Sequence, residues 1–68
     1  MRRTFFVIEN SKKEYFKGFN KELNCMEFTS NVEEARLFTH TAAMKPRIGE
    51  RIVKILINIH AQNIEFAE

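Results

Sequence analysis

Apolar positions in the first half of the chain come in short runs suited to strands, and after residue 40 they form one longer patterned segment. Residues 4–8, TFFVI, are apolar on both alternating sets, Phe5 with Val7 and Phe6 with Ile8. This predicts a central strand covered on both faces. The polar run ENSKK then predicts a turn, and EYFKGFN a second strand joined to the first as an antiparallel hairpin. Simple alternation puts Tyr15 and Phe19 on one side with Lys17 between them, and Phe16 on the other. Gly18 marks a bulge or a close approach of another chain, a strand irregularity being the commoner cause. KELN supplies a further turn and CMEFT a third strand, with Met26 and Phe28 on one face. In SNVEEARLF, Ser30 and Glu33 have the spacing of a capping box, which predicts a helix of two turns with Val32 and Ala35 facing inward.

The segment 41–59, TAAMKPRIGERIVKILINI, carries Met44, Ile48, Ile52, Ile55, Leu56 and Ile59 along one helical stripe, with Thr41 as its N-cap. Pro46 and Gly49 oppose an ideal helix and predict a bend or a late start. A rival pattern runs through the same residues: Val53, Ile55, Ile57 and Ile59 alternate with period two, which suits a strand paired with the terminal NIEFAE. The continuation of the stripe back to Met44 favours the helix. NIEFAE alternates, with Ile64 and Phe66 on one face, and is expected beside the first strand. The expected fold is therefore α+β: a three-stranded antiparallel meander plus a C-terminal strand, with a short and a long helix on one face, in the order β-β-β-α-α-β.

Composition narrows the class. With 68 residues, 44% hydrophobic and 29% charged, the chain is expected to form one domain, 1–68, whose core is barely sufficient and which benefits from a partner. Seven phenylalanines in so short a chain predict self-association, as a homodimer or a higher assembly. The lone Cys25 cannot form an internal disulfide, fits a reducing cytoplasm and is expected to be a semi-buried strand residue. No signal sequence or membrane span is recognisable, so a soluble cytoplasmic protein is expected. A net charge of +2 is too weak to imply nucleic acid.

No catalytic constellation is present: there is no Asp, no glycine-rich phosphate loop and no cysteine cluster. His40 and His60 lack partners at ligand spacing, so neither a metal site nor a cofactor is expected, and the chain reads as a non-enzyme. The aromatic excess of the first two strands is the informative feature, because helices on one face leave rings on the other. The candidate protein-binding residues are Phe5, Tyr15, Lys17 and Phe19. An alternative nucleic-acid surface would use Lys45, Arg47, Arg51 and Lys54, although Glu14, Glu22 and Glu27 would repel phosphate from the strands.

The positions Tyr15, Phe16, Gly18, Phe19, Phe28, Thr29, Glu34, Ala35 and Phe38 carry a pattern that resembles small uncharacterised proteins of bacterial phages and prophages. The likeness covers about residues 4–43 and breaks at Pro46 and Gly49. It implies an accessory protein, placed in the host cytoplasm, that binds and blocks a host or defence protein. No binding residue carries over from it. The meander backed by a helix is also similar to the DNA-binding domains of phage-type integrases and plant ethylene-response factors, a likeness of fold alone.

Overall fold

The computed structural model describes residues 2–58, 60 and 63–66, with the side chain of Ala43 excepted. Five strands, β1 (Arg2–Glu9), β2 (Tyr15–Asn20), β3 (Cys25–Thr29), β4 (Arg51–Asn58) and β5 (Asn63–Phe66), form one antiparallel sheet in the order β3-β2-β1-β4-β5. Helical structure among the described residues is confined to two single 3-10 turns, Val32–Glu34 and Thr41–Ala43. The chain is thus an all-antiparallel half-barrel, and the expected α+β architecture does not form.

The long helix is the main correction. Residues 51–58 pair along their whole length with β1, from Glu9↔Arg51 to Arg2↔Asn58. Val53 and Ile55 are buried while Lys54 between them is exposed. The β-branched run therefore satisfies the period-two pattern, and it completes the second edge of a strand that needs neighbours on both sides. The helical stripe back to Met44 is coincidental: Ile48 is fully exposed, and Gly49 turns the chain at φ 87°. Thr41 opens only a 3-10 turn, and Ile59 lies outside the described residues. β5 pairs with β4, as the rival reading required, and not with β1.

The short helix likewise shrinks to one turn. Asn31, not Ser30, caps it, its Oδ1 accepting from the Glu33 amide at 3.0 Å. Beyond it, residues 35–38 take extended geometry and enter the gap between β1 and β2. Phe38 exchanges two backbone hydrogen bonds with Phe6, and the Arg36 amide donates to the Phe16 carbonyl at 2.9 Å. β1 and β2 pair directly only at Glu9↔Tyr15, so this segment mends the sheet where they diverge.

Curvature gathers the core on one side. Tyr15 on β2 stacks on Phe66 of β5 with ring centroids 6.2 Å apart. Three inter-strand steps would separate these strands by about 14 Å in a flat sheet, so the sheet must curl towards that face. The concave side holds Val7, Tyr15, Val53 and Ile55, closed by Ala35 with Val32 against it; the inward placement of those last two agrees with the sequence pattern. The convex side is covered in part by Met44, which is buried beside Ile8, Phe16 and Phe38. β1 is covered on both faces, as its two apolar sets demand.

Candidate protein-binding surface

The β2–β3 ribbon is held by five residue pairs, but their register shifts between Phe16 and Gly18, leaving Lys17 as the extra residue of a bulge. A bulge inverts the alternation of everything beyond it. Tyr15 opposes Thr29 before the bulge and Phe19 opposes Met26 after it, so Tyr15 and Phe19 occupy opposite faces. This corrects the expectation that they share one. The Tyr15 ring belongs to the core, whereas Phe19 is 53% exposed.

The ribbon's far end is held by its own turn. The Asn20 Oδ1 accepts from the Leu23 amide at 3.1 Å, and Asn24 takes the left-handed conformation at φ 52°, which asparagine tolerates better than most residues. That geometry holds Leu23 at the tip, 71% exposed, with Met26 42% exposed opposite Phe19. Near the Met26 position lies an apolar depression of about 150 Å³, lined by Ile8, Phe16, Phe38 and Met44 and flanked by Lys45 and Glu50. Its aromatic walls pack on one another: Phe16 stacks on Phe38 at 6.5 Å and meets Phe28 edge-on at 6.0 Å.

Of the four residues expected to bind protein, only Phe19 and Lys17 are exposed. Phe5 is half-buried against the core, with the Arg3 guanidinium over its ring at 5.6 Å. Leu23 and Met26 were not among the expected residues. The signal for Leu23 was an apolar residue inside a polar turn; Met26 alternates with Phe28 as a core position would, and it is its place on an edge strand that exposes it. Cys25 is exposed, against the expectation of a semi-buried thiol.

The basic quartet is dispersed. Arg51 Nε donates to Glu9 Oε1 at 2.7 Å, and Arg47 Nε lies 3.7 Å from Glu50 Oε2. Lys54 sits three residues from Arg51 on the same strand, hence on the opposite face, and Lys45 lies in the preceding loop. No helix gathers them.

A second depression, about 210 Å³, is bordered by Glu9, Lys13, Tyr15, Arg51 and Phe66. Glu9 is buried, and its carboxylate is held by Arg51 and by the Tyr15 hydroxyl. Burial, followed by the charge and hydrogen bond of Glu9, raises the Tyr15 pKa, and Arg51 opposes the rise. The phenol therefore remains a donor at neutral pH, which is a structural role. Among the described residues no three His, Cys, Asp or Glu side chains converge as a metal site. No helix among them is long and apolar enough to cross a membrane. Comparison with protein-family models, curated proteins and solved structures finds no match to this chain.

Proposed function

We propose that the chain is a protein-binding module that works without catalysis, occupying a host or defence protein and so blocking or modulating it, as small phage accessory proteins do. The observation that carries this reading is the exposure of Phe19, Leu23 and Met26 on one ribbon beside an apolar depression. Interfaces draw most of their energy from a few desolvated apolar anchors, and a depression of this size accepts one side chain from a partner. Charges around the ribbon balance, Lys17 and Lys21 against Glu22 and Glu27, which suits a protein surface better than a polyphosphate.

The test is affinity capture from the native host with the wild-type chain and with the triple variant Phe19→Ser, Leu23→Ser, Met26→Ser. The variant should keep its circular dichroism spectrum and lose the captured protein, each anchor contributing about 2 kcal/mol or more. A folded variant that retains the same protein would remove the ribbon from the argument. Arg47→Glu with Lys54→Glu is the control and should leave capture unchanged; loss of binding there would favour the nucleic-acid reading.

A further inference from the structure

The two edges of the sheet are defended unequally. β5 is only four residues long, and the sheet's curl carries its Phe66 onto Tyr15 of β2. β3 is five residues, carries neither proline nor lysine, and has a single charge, Glu27. Natural edge strands are usually blunted by shortness, lysine, proline or a bulge, and the bulge here lies on β2, not on β3 itself. Among the described residues, no backbone hydrogen bond from outside the β2 ladder reaches 25–29. Half the backbone donors and acceptors of β3 therefore face outward beside the exposed apolar ribbon.

We infer that β3 receives an extended segment of the partner protein as a sixth strand, antiparallel to β3, with apolar residues opposite Met26 and Phe28 and a basic residue opposite Glu27. This rests on the protein-binding reading above and adds its mode and sequence preference. Alternation supplies the pattern. Met26 and Phe28 share the face of Phe19, so the incoming residues beside them extend the apolar surface, while the residue between them falls on the face of Glu27. Charge decides the occupant. In the register that pairs all five residues, a second copy of this chain would place Glu27 against Glu27, and like charges directly opposite are destabilising. A lysine or arginine at that position is attracted, and it meets no basic residue on β3.

The probe is a short peptide with the core threonine-valine-lysine-valine-threonine, added to the full chain and followed by amide hydrogen exchange read by NMR. Amides of β3 that point away from β2 should become protected, and those of β5 should not change. Methylating the peptide nitrogens that face β3 removes donors without altering side chains, and should weaken binding about tenfold or more. Glu27→Lys should weaken the lysine peptide about tenfold, and a peptide with glutamate at the centre should bind that variant and recover the loss.

Equal binding of the methylated peptide would overturn strand addition and leave the apolar ribbon as a docking patch. Protection of β3 in the absence of peptide, rising with protein concentration, would overturn it in favour of a second copy. Absence of binding at millimolar peptide would also overturn it. The serine variant of the ribbon tests the parent reading separately, because partner capture can survive the failure of the peptide.

Discussion

The concave side of the sheet and the β2–β3 ribbon use the same residue types for opposite ends. On the concave side, the rings and β-branched chains of Tyr15, Val7, Val53 and Ile55 are withdrawn from water by curvature and by the 32–35 segment. On the ribbon, Phe19, Leu23 and Met26 are as apolar but remain 42–71% exposed. Hydrophobicity by itself does not separate folding from binding; the difference lies in where on the curled sheet a side chain falls and what packs against it there. One bulge at Lys17 decides it for β2.

The largest test of this contrast compares two aromatic residues four apart on one strand. Tyr15→Ser opens a cavity in the core and should cost about 3–5 kcal/mol, close to the whole stability of so small a domain, whereas Phe19→Ser should cost no more than about 0.5 kcal/mol. Urea unfolding of the two variants reads the difference directly, and similar losses would mean that the bulge does not invert the strand.

Ile55→Ala probes the concave side alone. The side chain is fully buried in the ladder between β1 and β5, and its truncation should cost about 2–5 kcal/mol. A long helix at residues 41–59 would also bury Ile55, so the discriminating partner is Ile48→Ser. Ile48 should tolerate serine within about 0.5 kcal/mol in the fold described here and not in the helical alternative.

A smaller effect is expected at the rim. Glu9→Gln removes the charge that holds Arg51 and accepts from Tyr15, and should lower stability by about 1–3 kcal/mol, the lower end being favoured because Arg51 stays largely in water. Double-mutant coupling with Arg51→Ala measures the pair itself, and a coupling energy near zero would show the bond to be incidental.

The smallest effect is a pH dependence. The folded-state pKa of Tyr15 is raised above its usual value near 10, so its contribution to stability is complete below that value and is lost as pH rises through the folded pKa. Tyr15 is the one tyrosine in the chain, so an ultraviolet titration of the native protein reports it alone. Tyr15→Phe should flatten this alkaline loss while keeping the ring stacked on Phe66, and an unchanged alkaline profile would assign the loss to other groups.

Much of the strand structure is legible from local pattern. Two apolar sets in residues 5–8 demand cover on both faces, and β1 has it. The turn residues Asn10, Asn20 and Asn24 stand where side-chain caps and a left-handed backbone are needed. The segment 51–58 is ambiguous in sequence because the two periods coincide there: isoleucines at 48, 52, 55 and 59 satisfy a helix, while 53, 55 and 57 satisfy a strand. Local propensity cannot choose between them, and the open edge of β1 can, since an unpaired central strand leaves its backbone groups unsatisfied.

What the sequence determined by itself is the strand character of the first half, the cover that both apolar sets of β1 require, and the inward placement of Val32 and Ala35. Tertiary structure decided the rest. The bulge at Lys17 sent Phe19 outward while Tyr15 stayed in the core, because alternation is a local rule and a register shift is set by the partner strand. The curl that brings Tyr15 to Phe66 gathered the main core on the concave side. The exposure of Leu23 and Met26, and the open edge of β3, follow from strand order, which depends on contacts distant in sequence that no window of the chain contains.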